Sequence, residues 1–173
     1  MVIPLVFAAS SDGVADTSGE ETNSTYFEFS VKHALGVVHA EAFAKGNFAE
    51  CVSVYARDAK FYIENKLVAE GRSGLLKFYR DLKENAGVSE ITIERFIEIQ
   101  HVGEVGWVIF NYTKKYDLSS QPADFLAEHG LEGKKHLSVS KFGTAIFRTR
   151  LGVWRIKTMN VYGEEAWKSA GGE

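Results

Sequence analysis

The hydrophobic period of this chain changes once, near Ser89, and that change limits what the chain can fold into. Before it, Phe27, Val31, Ala34, Leu35, Val38 and Ala42 recur at helical spacing up to the break "KGN" at residues 45–47. After it, Ile91, Ile93, Ile97 and Ile99 alternate with polar residues, and "WVIFNYTKKYDL" continues as a second long strand. Helices followed by a run of long strands predict an α+β domain: three N-terminal helices packed on the concave face of a strongly curved antiparallel sheet.

Punctuation inside the two halves sets the elements. Thr25 and Glu28 have the spacing of a capping box and are expected to open the first helix. Asn47, with Glu50 three residues on, caps a second helix through "FAECVSVYA". "DAKFYIEN" reads as a strand with Phe61 and Ile63 on one face and Tyr62 and Glu64 on the other, followed by the extended "KLVAEG". Ser73 is expected to open a third helix, whose apolar side is Leu75, Leu76, Phe78, Tyr79 and Leu82 and which Gly87 ends. "HLSVSKFGTAIFRTR" and "VWRIKTMNVYG" pair across a turn at Leu151 and Gly152, and the intervening "SSQPADFLAEHGLEGKK" is a loop with one short helix.

Composition excludes several function classes. A length of 173 residues, 45% of them hydrophobic, suits one domain with a substantial core. A formal net charge of -3 and the lack of a basic run leave no footprint for nucleic acid or an anionic membrane surface. Cys51 stands alone, so no internal disulfide marks an oxidising compartment, and its place in a helical pattern without basic neighbours reads as a structural thiol. "MVIPLVFAASS" ends in small residues as a signal core does, but no Lys or Arg precedes it and it is short, so a cytoplasmic location is expected. The Gly-, Ser-, Thr- and acid-rich "DGVADTSGEETNS" completes a disordered leader over residues 1–24, the domain is expected over 25–165, and 166–173 form a flexible tail.

The succession "FAKGNFAECVSVYARDAKF", "EGRSGLLKFYRDL" and "GVWRIKTMNVYG" resembles the cone-shaped, cystatin-like superfamily of nuclear transport factor 2, ketosteroid isomerase, scytalone dehydratase and the polyketide cyclases. The resemblance runs from Tyr26 to about Gly163, and it speaks for fold more than for activity, because that fold carries many chemistries. Aligned with ketosteroid isomerase, two tyrosines of that family's oxyanion-binding network fall on Tyr55 and Tyr79, and the third falls on His39, whose imidazole is also a hydrogen-bond donor. The family's general-base aspartate falls on Ile63 and its second acid on Thr144, so its isomerisation lacks a base here; Glu64 is adjacent but points to the other face of a strand.

The same alignment implies an inner wall of Ile63, Phe142, Thr144, Met159 and Val161, with Phe78 nearby: a mainly apolar pocket for a hydrophobic, polyketide- or terpenoid-like small molecule. His39 is the candidate general acid or base, with Tyr55 and Tyr79 orienting it or polarising a carbonyl, and His39 is expected within hydrogen-bond reach of at least one of them. Isomerisation, dehydration and cyclisation need no cofactor. His33, His101, His129 and His136 show no metal-ligand spacing, and no metal is assigned. Trp107, Trp154 and Tyr162 offer aromatic anchors for a homodimer through the outer sheet face, as members of that fold often form. Two readings stay open: a cofactor-free lyase or isomerase, and a non-catalytic ligand-binding or association module in which the same tyrosines are core aromatics with satisfied hydroxyls.

Overall fold

A computed structural model describes residues 17–163; residues 1–16, most of the expected leader, and residues 164–173, which include the expected tail, lie outside the described residues. The first helix is one continuous rod over 17–44, made of α1 (Thr17–Val31), a π-helical stretch (Lys32–His39) and α2 (Ala40–Ala44). It starts at Thr17, so Thr25 and Glu28 sit inside it rather than at its cap.

The π stretch has a physical reason in the sequence. The buried positions Phe27, Val31, Leu35, His39 and Phe43 fall at every fourth residue. At 3.6 residues per turn such a stripe drifts about 40° round an α-helix with each step. The wider i→i+5 turns of a π-helix offset that drift, so Leu35 and His39 stay on the side that faces the sheet.

After the break at residues 45–47, Asn47 caps α3 (Phe48–Cys51) by accepting from the Glu50 amide, as its sequence predicts. That helix does not run on through Tyr55 and Ala56: a short 3-10 turn (Val52–Val54) ends it, and Tyr55 is the first residue of β1 (Tyr55–Ile63). The β-branched Val52 and Val54 are the first and last residues of that turn, and their low helix propensity is consistent with α3 ending there. β2 (Lys66–Glu70) follows across a turn in which Glu64 and Asn65 both take positive φ, the geometry of a tight hairpin. α4 (Gly71–Glu84) then begins two residues before Ser73.

β3 (Val88–Val102), β4 (Val105–Asp117), β5 (His136–Arg150) and β6 (Val153–Tyr162) form the meander that the period-two pattern predicts, and the short helix α5 (Ala123–Glu128) lies in the β4–β5 connection. The six strands make one sheet in the order β2-β1-β6-β5-β4-β3. Four neighbouring pairs are antiparallel, but β1 runs parallel to β6, with Phe61 beside Met159 and Ile63 beside Val161. The helices cover one face of this sheet, and the core lies between the two layers.

Two glycines make room for aromatic rings, one between the layers and one within the sheet. The Phe27 ring of α1 lies over Gly106 of β4, and the Phe110 ring lies over Gly143 of β5; a Cβ at either glycine would overlap the ring. Gly106→Ala is therefore expected to overpack the helix–sheet contact and cost about 1–3 kcal/mol. Thermal denaturation checks this, with a melting temperature several degrees below wild type and an unchanged far-UV spectrum.

Candidate functional site

The cavity opens between the first helix, α4 and the concave face of the sheet, and its wall includes His39, Phe78, Tyr79, Phe110, Tyr112 and Lys114. It is narrow, with a volume of about 20 Å³, enough for about one water molecule. Leu35, Phe61, Leu82, Ile91, Ile93, Met159 and Val161 complete a lining that is otherwise apolar.

His39 stands at the end of the π stretch, 4% exposed, and neither ring nitrogen has a hydrogen-bond partner. Its ring meets Tyr79 edge-on at 4.9 Å between centroids and Tyr55 at 6.0 Å. Burial, which disfavours the imidazolium, lowers its pKa from 6.5 to about 4. The ring is thus neutral at neutral pH, with one nitrogen to donate and one to accept.

Tyr55 and Tyr79 are both fully buried, and their hydroxyls lie 2.6 Å apart, either one able to donate. The Tyr55 hydroxyl also reaches Met159 Sδ at 3.4 Å. Burial pushes both phenols well above their usual pKa, so both keep their protons. His39 therefore joins the pair by ring packing and not by the hydrogen bond expected of it, which leaves both of its buried nitrogens without a partner in the protein.

Two cations frame α4 and so hold Tyr79 opposite Tyr55. At its start, Arg72 donates to the carbonyls of Tyr55 and Ser53 at 2.6–3.0 Å, tying the helix to the beginning of β1. At its end, Lys83 Nζ donates to the carbonyls of Phe43, Ala44 and Ser89, which closes the C-terminus of α2 and links it to β3.

The structure divides the expected wall residues. Phe78, Met159 and Val161 line the cavity with His39 and Tyr79, while Tyr55 sits behind Tyr79. Ile63 packs against the core beside Val161 but outside the lining. Phe142 and Thr144 belong to the opposite face of β5: the buried positions of that strand are Gly143, Ala145 and Phe147. A side chain alternates faces at every residue, so an alignment wrong by one position inverts the face. Glu64 is exposed in the β1–β2 turn. Trp154 turns toward the helices, its ring 4.5 Å from Phe27, and is not an outer-face anchor. His101 is in β3, and its ring packs near Phe27 and Trp154.

Tyr112 and Lys114 escaped the sequence reading. They follow Phe110 at steps of two on β4 and share its face, but Trp107 and Ile109 make the other face equally apolar, so alternation alone did not say which set turned inward. Tyr112 has no partner for its buried hydroxyl, and burial raises its pKa. Lys114 is 7% exposed, and burial, with the neighbouring Lys141 charge, lowers its pKa to about 8. Cys51 is buried in α3, and desolvation pushes its thiol up to about 12, which leaves no thiolate at neutral pH. Among the described residues no group of three His, Cys, Asp or Glu is placed to hold a metal ion, and no helix is long and apolar enough to cross a membrane.

The buried histidine couples stability to pH. The unfolded chain protonates this imidazole near 6.5 and the folded protein only near 4, so across that interval the unfolded state binds the extra proton and stability falls as the pH falls. His39 alone is expected to remove about 3 kcal/mol between pH 7 and pH 4. Urea unfolding of wild type and His39→Phe at both pH values checks this: the variant should lose that much less stability over the same interval.

No family model and no curated protein matches the sequence. Solved structures do match. An NTF2-like protein with a cystatin-like fold from Novosphingobium aromaticivorans superposes with a TM-score of 0.68 at 9% identity, over 88% of this chain and 93% of that one. A ketosteroid isomerase-like protein from Erwinia carotovora atroseptica matches at 0.59 and 12% identity, over 81% of this chain and 95% of that one. A hexachlorocyclohexane dehydrochlorinase matches at 0.60 and 15% identity, over 83% and 87%. These superpositions cover most of each chain, and the fold of this chain is the NTF2-like, cystatin-like fold.

Proposed function

We propose that the cavity binds a hydrophobic small molecule, polyketide- or terpenoid-like, and that the protein is a cofactor-free isomerase, dehydratase or cyclase. One observation carries this reading: His39 stands in the cavity wall with both ring nitrogens unpartnered, beside a hydrogen-bonded pair of buried tyrosine hydroxyls. A buried polar atom without a partner costs about 1–3 kcal/mol, and a ligand that bonds to it recovers that cost.

The division of labour follows from the pKa shifts. Lowered to about 4, His39 has roughly the basicity of a carboxylate and is present as the free base at neutral pH, the form that removes a proton from carbon next to a carbonyl. With Tyr55 donating to Tyr79, the Tyr79 proton is left for the substrate oxygen, and the chain of two hydroxyls strengthens that donor as negative charge develops. In this reading His39 takes over the role of the aspartate that the resemblance would put at Ile63. Two structural neighbours are described as a ketosteroid isomerase-like protein and a hexachlorocyclohexane dehydrochlorinase, and they lend this reading an analogy of fold alone.

The second reading, a non-catalytic binding or association module, draws on the narrowness of the cavity and on its lack of a carboxylate. We read the chain as cytoplasmic in either case, since its one cysteine is a buried free thiol.

α-Proton exchange separates the two readings. In D₂O at pH 7, wild type is expected to speed deuterium incorporation at the α-carbons of 2-tetralone, followed by proton NMR. His39→Phe should abolish the acceleration in a folded protein, and Tyr79→Phe should reduce it about 10- to 100-fold. Wild-type exchange at the buffer rate would leave the binding module as the better account.

A homodimer through the outer sheet face belongs to the same proposal, with Trp107, Ile109, Phe142, Ile146 and Tyr162 on the face away from the cavity. Sedimentation at micromolar concentration should give a dimer for wild type, and Ile146→Glu, which places a charge on a half-exposed outer position, should give a monomer. A monomeric wild type would remove the dimer from the proposal.

A further inference from the structure

The chemistry proposed for His39 and the two tyrosines leaves two buried polar side chains of the cavity unused. Tyr112 and Lys114 sit two residues apart on β4, on the face that also carries Phe110, and both line the cavity. The Tyr112 hydroxyl has no partner. Among the described residues, none of the ion pairs and none of the hydrogen bonds includes the Lys114 ammonium; its one marked contact is with the Tyr112 ring, 6.0 Å from the centroid. No Asp or Glu is among the lining residues, and the charge that acts on Lys114 most is another cation, Lys141.

The Lys114 ammonium keeps a little contact with solvent but lies in a mostly apolar wall, where a charge is ordinarily met by a counter-charge or by several hydrogen bonds. The neighbours offer neither: Lys114 pairs with Ile91 on β3 and with Val139 on β5. Turning the side chain to the outer face would need only a one-residue slip of β4, but that slip would also expose Val108, Phe110 and Tyr112, so the register holds the charge inside. The polar groups at this place are donors. Lysine has no acceptor, and a phenol held protonated by burial offers its proton.

We propose that the cavity takes a ligand with a carboxylate, whose oxygens are met by the Lys114 ammonium and the Tyr112 hydroxyl while its apolar body lies among Phe78, Leu82 and Phe110. This rests on the reading of the cavity as a small-molecule site and narrows the class of molecule it holds. One cation and one neutral donor match one negative charge with two acceptor oxygens, which a monoanionic carboxylate supplies. A phosphate dianion would leave one charge unpaired in an apolar wall. Lys114 and Tyr112 bind the head group, and His39 with Tyr79 remains available for the part of the ligand farther along the cavity.

Calorimetric titration of the full chain at pH 7 with 2-naphthoate and with 2-acetonaphthone tests the assignment, since the two ligands share the ring system and differ chiefly in charge. Wild type is expected to bind 2-naphthoate at least about tenfold more tightly than 2-acetonaphthone, the effect of one charge-assisted contact. Lys114→Met should lose that preference while binding 2-acetonaphthone as well as before, and Tyr112→Phe should lose a smaller part of it. Lys114→Met removes a buried charge and is expected to melt no lower than wild type, which a thermal scan verifies; Lys114→Arg, which keeps the charge, should keep the preference and serves as the second variant. Binding of 2-acetonaphthone with no gain for 2-naphthoate would overturn the carboxylate assignment and leave the small-molecule site standing. Equal weakening of both ligands by Lys114→Met would also overturn it, because the lysine would then act through packing. Binding of neither compound to wild type would overturn the small-molecule site itself, and the carboxylate assignment with it.

Discussion

The parallel pairing of β1 with β6 is the constraint on which the rest of the molecule depends. It joins the helical half of the chain to the end of the meander, and through it Tyr55 and Met159, 104 residues apart in sequence, come within 3.4 Å. Everything that covers the concave face is hung from that joint. Arg72 ties α4 to the first residue of β1, Lys83 ties the other end of α4 to the first helix and to β3, and between these two clamps Tyr79 meets Tyr55. A pairing so distant in sequence carries a loop-closure cost that local helix formation does not.

Inside the cone, hydrogen bonding is deliberately incomplete in a chemical sense: the Tyr55–Tyr79 pair satisfies itself, while His39, Tyr112 and Lys114 do not find partners within the protein. Burial is the common cause of their altered acidities, and it acts in opposite directions on the two kinds of group. It lowers the bases, His39 to about 4 and Lys114 to about 8, and raises the phenols. The result is a cavity that presents a neutral imidazole, protonated phenols and one cation in an apolar wall. Such a wall favours an acceptor-rich ligand and repels a second cation.

The π stretch of the first helix links sequence to site. A spacing of four between Phe27, Val31, Leu35, His39 and Phe43 drifts round a straight α-helix, and the backbone accommodates it by widening one segment. His39 ends that segment. The same distortion that keeps the apolar stripe on the sheet therefore sets the imidazole into the cavity, so packing and site geometry are one arrangement here.

Local periodicity made the class legible: the switch of period near Ser89 marks the α+β division and the long strands, and Asn47 marks a true helix cap. The resemblance to the cone-shaped superfamily, which periodicity does not carry, brought His39, Tyr55 and Tyr79 to one place, where their rings lie together. Which face each strand turns inward, and which side chains bond to each other, is settled by contacts between distant segments. Phe142 and Thr144 point outward and Gly143 and Ala145 inward because a single-residue step in register inverts a strand, and both faces of β4 and β5 are apolar enough to serve. For the same reason Lys114 was legible as a charge but not as a buried one. The parallel partner of β1, the hydrogen bond between the two tyrosines in place of one to His39, and the loss of Trp154 to the core all depend on contacts between distant segments, and side-chain period carries no record of those.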